Sequence, residues 1–558
     1  MKKLLLMVFF WTFLVISLDA NILGDTNGNN NVLDLKDFTV FVFSQSNPSE
    51  EDPQVYELKP DINIRAIQKW STMGDEISDY NYKSIKHYHN HNISFIGGGT
   101  TSVIFEKDFS SPEIFRDMTT RDANNHLVPH NEIVPDAYRG SLANPRFRKY
   151  IIDWCKIQID GGVDGLFFDE VIAGFSGGAA KNYNGNEGFD DYCITDFNKY
   201  LVEKYPTYTR QDWKNNFGMT DNNIIKKEIS PADLVNNFNY RKYLQEHGWN
   251  GAAAVTSPLI SKNPLTKEWG VAVNNRMYKA DTFLGEYTAR YWQEIVSELR
   301  EYASQKYNKY ILITSNGILP FVDFNCLGMY DWNPDEQTPD GRGADYVPIT
   351  NKHLNGSKSL MPIYKTLYHK NRETAGNVPL VTFIDWPTEM MDNYNKLPIE
   401  EKKDYWRIFG AESYACGLYP AFHLKDTVGG LTATDAGIID FYKEYMLFYK
   451  KNKEIYGHQN YHYSDLPVSV NKNNIAQNLM LSKDGTKYAL HLINHNYKKG
   501  IFSQQNFTVT VALNKTPRHV CMISPDFRGK KDLAYEHKNN QLLINVNNIT
   551  YYNVIVIE

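Results

Sequence analysis

Between Asp61 and Lys425 the sequence alternates short apolar bursts with longer amphipathic stretches. Such alternation leaves few folds open. A parallel strand reaches its neighbour only through a crossover, usually a helix, and a sheet covered by those helices on both faces has near-continuously apolar strands. Strands are expected at 62–69 (INIRAIQK), 93–99 (ISFIGGG), 165–170 (GLFFDE), 310–316 (YILITSN), 326–332 (CLGMYDW), 378–386 (VPLVTFIDW) and 417–424 (GLYPAFHL). Residues 126–137 supply one further, irregular strand. Helical patterns such as NPRFRKYIIDWCKIQID intervene. The order predicts an α/β fold, a TIM-type (β/α)8 barrel. The polar, helical interval of about 175–305 reads as an insertion after the fourth strand.

The two ends of the chain differ from this middle. Residues 453–558 carry short alternating strands joined by polar turns such as KDG and KNN, the pattern of an all-β sandwich. At the N-terminus, Lys2 and Lys3 precede the apolar stretch LLLMVFFWTFLVISL and the small residue Ala20. This predicts a signal peptide over 1–20 and a secreted or extracytoplasmic protein. The expected organisation is therefore signal peptide 1–20, a short segment 21–53, barrel 54–452 and sandwich 453–558.

The short segment contains GDTNGNNNVLDLKDF, in which Asp25, Asn27 and Asn29 alternate and Asp34 follows. Oxygen donors at alternate positions of a tight loop suit Ca²⁺. An Asn-rich solvated linker has the same composition, and both readings stand at this point. The five cysteines are widely spaced, which fits neither a disulfide framework nor a zinc site, and the apolar settings of Cys326 and Cys416 suggest buried thiols. The formal charge of −6, without a long Lys/Arg run, argues against nucleic acid as a partner.

The ends of the expected strands carry the chemistry. They finish on Asp169 and Glu170, on Ser315 and Asn316, on Tyr330, Asp331 and Trp332, on Asp385 and Trp386, and on His423. In a (β/α)8 barrel the substrate sits at these C-terminal ends. Strand alternation places 165, 167 and 169 on one face, so Asp169 is expected to point inward and Glu170 to begin the loop. Two carboxylates flanking one bond are the minimum for glycoside hydrolysis. Asp169 is thus the first catalytic candidate, with Asp331, Asp385 and Glu170 as partners. Trp332 and Trp386 could stack on a sugar ring. Trp70, Arg121, Asn316, Tyr330 and His423 complete the expected substrate contacts. Asp164, in the GVDG turn, reads as a capping feature, and the glycines of IGGG as a place where a sugar approaches backbone. No catalytic cofactor is implied.

Three stretches carry a resemblance to known families. NPRFRKYIIDWCKIQIDGGVDGLFFDEV, GFDDYCITDFNKYLVEKYPTYTRQDWKNNFG and AESYACGLYPAFHL resemble segments of the barrel glycoside hydrolases of polysaccharide-degrading bacteria. The resemblance covers residues 61–425 and implies a secreted glycosidase with a C-terminal β-domain. The chitinase signature DGxDxDxE is not met, because Phe167 and Val171 replace its middle Asp and its Glu. Retaining α-glycosidases carry an Asp nucleophile at the end of the fourth strand, and Asp169 fits that place. The N-terminal loop resembles the first half of a dockerin repeat, although Asn30 replaces the loop glycine and no second copy follows. That likeness implies a cohesin-type scaffold as partner. The leading expectation is a secreted hydrolase of poly- or oligosaccharides. Its rivals are a non-catalytic carbohydrate-binding barrel and a lyase.

Overall fold

Eight parallel strands close on themselves: β1 Phe41–Ser44, β2 Ile62–Ile64, β3 Ser94–Thr100, β4 Gly165–Asp169, β5 Leu312–Asn316, β6 Phe324–Met329, β7 Leu380–Ile384 and β8 Tyr419–Lys425. The computed structural model describes residues 40–44, 57–64, 85–122, 124–130, 136–169, 171, 188–220, 238–248, 263–270, 281–319, 321–329, 356, 359–384, 397–425, 436–456, 460–498 and 500–558. Closure comes from β1, whose Phe41 is in register with Ala421 of β8 on one side and Ile62 of β2 on the other. The fold is a (β/α)8 barrel followed by antiparallel β-sheets.

Two expectations about the strands need correction. The irregular strand at 126–137 is not part of the barrel. Instead Ala137–Arg139 pairs antiparallel with Val103–Phe105, forming a two-stranded sheet in the connection after β3. The missing eighth strand is β1, which lies inside the 21–53 segment expected to precede the barrel. Val40, Phe41 and Val42 are all buried, as a strand covered on both faces requires. The two errors offset each other, so GLFFD remains the fourth strand.

The helices begin where the sequence offers caps. Asn144 accepts from the Arg146 N–H at 2.8 Å and Pro145 opens α1, Pro145–Asp160. Asp190 caps α2, Asp191–Lys204, and Thr282 caps α3, Phe283–Tyr307. Along α3 the residues Phe283, Tyr287, Tyr291, Ile295 and Leu299 are buried at helical spacing, while Glu294 and Glu298 reach Arg148 and Lys156 on α1. Within the interval 175–305, Tyr240 and Trp269 form a buried aromatic core with Phe197 and Phe283, and the buried Trp213 stacks on Phe217.

The carboxyl-terminal region packs a six-stranded sheet against a four-stranded one around a core that includes Leu490, Val509, Ile544 and Ile555. It is joined to the barrel through α4, Met361–Ala375, and above all α5, Ile399–Ala415. Asn478 donates to the Ala415 carbonyl at 2.6 Å, and the Tyr463 hydroxyl donates to that of Cys416 at 2.9 Å. Arg407 binds Asp404 at 3.1 Å and lies over the Tyr551 ring. Glu412 is fully buried, accepts from the Ser359 hydroxyl and faces His495 Nε2 at 3.4 Å. Burial pushes the Glu412 carboxyl up to about 8. All five cysteines are buried thiols. No helix among the described residues is long and apolar enough to cross a membrane.

Candidate active site at the end of the fourth strand

The direction in which β4 side chains point can be read from their partners. Phe168 packs against Trp292 of α3, with ring centroids 5.0 Å apart, so it faces the outer helical layer. Alternation then turns Phe167 and Asp169 into the barrel. The neighbouring strand repeats the pattern: Phe167 is in register with Thr314, and Phe168 with Ser315. One step further, Asp169 meets Asn316. The Asn316 amide donates from Nδ2 to Asp169 Oδ1 at 2.7 Å. Two residues expected separately at the mouth thus form a bonded pair.

The backbone at this point is fixed as firmly as the side chain. The Asp169 carbonyl accepts from the Thr101 N–H at 3.1 Å and from its hydroxyl at 2.7 Å. The Trp292 indole donates to the Val171 carbonyl at 2.5 Å. Asp169 is half-buried, whereas Asn316 is 9% exposed. An acid at the rim of a rigid strand, partly open to solvent, is suited to meet a substrate.

Two glycines of β3 have a packing role. Gly98 has φ +124°, and a Cβ there would sit 1.9 Å from the Phe167 carbonyl oxygen. A Cβ on Gly97 would meet Gln158 Oε1 at 2.4 Å. Gly97 and Gly98 let α1 and β4 close in on β3.

At the opposite end of β4, Asp164 is a structural tie, as its turn context suggested. It accepts from the Phe95 N–H at 2.8 Å, meets His89 Nε2 at 2.7 Å and pairs with Lys309 at 2.7 Å. Burial opposes its ionisation, but the His89 hydrogen bond and Lys309 outweigh it and hold the carboxyl below its ordinary value.

The remaining candidates divide between Arg121 and those that lie outside the described residues. The Arg121 guanidinium donates to the Arg116 carbonyl at 2.9 Å. His423 lies on β8 in register with Phe43, and its side chain lies outside the described residues. Glu170, Asp331, Asp385, Trp70, Tyr330, Trp332 and Trp386 lie outside the described residues, as do Asp25, Asn27, Asn29 and Asp34.

Sequence reasoning overlooked two groups near this rim. Thr101 holds the Asp169 backbone, and nothing in an isolated Thr signals that. Asp190 is buried and ties together the segments after β3 and β4. It accepts from the Thr120 hydroxyl at 3.2 Å and from the Cys193 N–H at 3.1 Å, and burial raises its carboxyl above the ordinary value. The paired acids before a helical pattern in GFDDYC were a readable capping signal. In the connection after β3, His130 is buried, and burial with the nearby Arg139 charge lowers it to about 3. It is therefore neutral at physiological pH.

No family model matches the sequence, and no curated protein does. Solved structures do resemble it. A cycloisomaltooligosaccharide glucanotransferase from Paenibacillus sp., solved with cycloisomaltoheptaose, matches 94% of this chain and 85% of its own at 10% identity, with a TM-score of 0.52. The maltogenic α-amylase AmyB from Thermotoga neapolitana matches 93% of this chain and 99% of its own at 11% identity, with a TM-score of 0.49. The α-L-fucosidase isoenzyme 2 from Paenibacillus thiaminolyticus matches 93% of this chain and 99% of its own at 7% identity, with a TM-score of 0.48. At 10% identity the likeness to the glucanotransferase is one of fold alone.

Proposed function

We propose that this chain is a glycoside hydrolase that cleaves poly- or oligosaccharides with Asp169 as one of two opposed carboxylates. The observation that carries the reading is the inward-facing Asp169 at the C-terminal end of β4, held there by Asn316. In sequence, Asp385 directly follows the last residue of β7, and Asp331 follows the end of β6 by two residues. These acids and Glu170 are the proposed partners. One acid protonates the leaving oxygen while Asp169 attacks or stabilises the anomeric carbon. Trp332 and Trp386 are proposed to hold the sugar face, with Tyr330, His423 and Trp70 around it. Export after cleavage near Ala20 supplies such an enzyme with extracellular glycans. Calcium at Asp25, Asn27, Asn29 and Asp34, with a cohesin-type partner, is a separate proposal that the catalytic reading does not need.

The test is a reducing-sugar and chromatographic screen of the purified chain on dextran, soluble starch, pullulan, xylan and laminarin, beside Asp169→Asn. Products released by the wild type and not by the variant support the reading. Chromatography separates hydrolysis from transfer to another sugar. Glycan-dependent stabilisation of the chain without any product would replace it with the binding-barrel reading.

A further inference from the structure

The hydrogen bond between β5 and β4 has a consequence for the chemistry. An Asp side chain at a strand end has several accessible rotamers, and a nucleophile must be held within a fraction of an ångström of its working position. The Asn316 amide reaches one oxygen of Asp169 at 2.7 Å. Asn316 is itself held by strand pairing on both flanks of β5: Ser315 is in register with Phe168, and Asn316 with Cys326. The next residue, Gly317, bridges to Cys326 as well. The donor is therefore fixed by the sheet before any substrate arrives. Asn316 is 9% exposed, which leaves little of it to meet a sugar.

We propose that Asn316 is a positioning residue that fixes the Asp169 carboxylate through Oδ1. This replaces the expectation that Asn316 contacts substrate, and its catalytic part rests on the hydrolase reading above. The amide also favours the charged carboxylate, since a donated hydrogen bond stabilises the ionised form. Removing the donor should therefore make Asp169 easier to protonate.

The experiment has one arm with substrate and one without. Asn316→Ala and Asn316→Ser are compared with wild type, their melting temperatures confirming that they fold. In the substrate-free arm, aspartate is labelled with ¹³C at Cγ, and the Asp169 signal is identified by its loss in Asp169→Asn. Its titration midpoint is expected to rise by about one pH unit in both variants. In the kinetic arm, on whichever screened glycan the wild type cleaves fastest, kcat should fall about 10–100-fold with KM within about threefold. The acidic limb of kcat/KM should move upward with the midpoint. An unchanged midpoint would overturn the proposal, and so would a raised KM with unchanged kcat, which marks a substrate contact. A wild-type chain inert on every glycan, with the midpoint still shifted, would sink the hydrolase reading while supporting the Asn316 contact.

Discussion

Asp164 and Asp169 stand at opposite ends of the same barrel strand, and the proposed function gives them opposite work. Asp164 meets a backbone N–H, a histidine and a lysine, and is held ionised by them despite its burial. Asp169 is half-buried and aligned by the neutral amide of Asn316. The contrast follows from barrel architecture. The N-terminal ends of the strands secure the fold, and the C-terminal ends face the substrate.

Asparagine substitution at each position tests this contrast most strongly. Asp169→Asn preserves size and removes the charge, so turnover should fall by about three to five orders of magnitude on any glycan the wild type cleaves. Its melting temperature should stay close to wild type, because the acid is half-buried. Loss of stability in proportion to activity would instead make Asp169 a second structural tie and end the comparison.

Next in expected size is Gly98→Ala. The added Cβ would have to displace the Phe167 carbonyl, and the positive φ adds strain, so we expect a loss of about 3 kcal/mol in urea unfolding. Because Phe167 lies two residues before Asp169, residual activity should fall too. Wild-type stability in this variant would show that β3 and β4 can separate without cost, contrary to the packing described.

Asp164→Asn should give the mirror image of Asp169→Asn. It leaves Lys309 without its carboxylate, and we expect about 2–3 kcal/mol of lost stability with turnover per folded molecule nearly unchanged. The effect should depend on pH. A carboxyl depressed in the folded state stabilises above its ordinary value near 3.8, and the contribution is lost as pH falls through the folded value. Wild type and variant should therefore converge in strongly acidic urea titrations. A gap that persists at low pH would mean that the loss comes from packing.

These contrasts also explain what the sequence made legible. Apolar bursts at regular intervals announced seven barrel strands, because burial on both faces leaves a continuous pattern. β1 escaped notice because FVFS is short and follows a segment rich in Asn and Asp. Residues 126–137 misled because His130 and Val128 are buried in a folded connection, and burial alone does not make a barrel strand. Asp169 was readable from alternation. Its bond to Asn316 depends on the register between β4 and β5, which no local pattern encodes.

The smallest expected effect concerns a third acid, Glu412, which shows whether burial or the answering charge matters more. Like Asp164 it is buried, but it meets the Ser359 hydroxyl, the Leu360 N–H at 3.4 Å and His495 at 3.4 Å. Burial raises it from 4.5 to about 8, with Ser359 and Leu360 opposing the rise only in part. The folded chain then keeps a proton at neutral pH that the unfolded chain releases. Stability must fall as pH rises between about 4.5 and 8, the reverse of the Asp164 dependence. Glu412→Gln has a similar shape and carries no titrating proton, so it removes this slope. Near pH 5 the variant should be close to wild type, and near pH 8 it should be more stable by about 1–3 kcal/mol in urea unfolding. If His495 were charged and paired with an ionised Glu412, the outcome would reverse: Gln would destabilise the chain at neutral pH, leaving a buried imidazolium unanswered. The sign of that difference between pH 5 and 8 decides whether the barrel and the sandwich are joined by a neutral acid or by an ion pair.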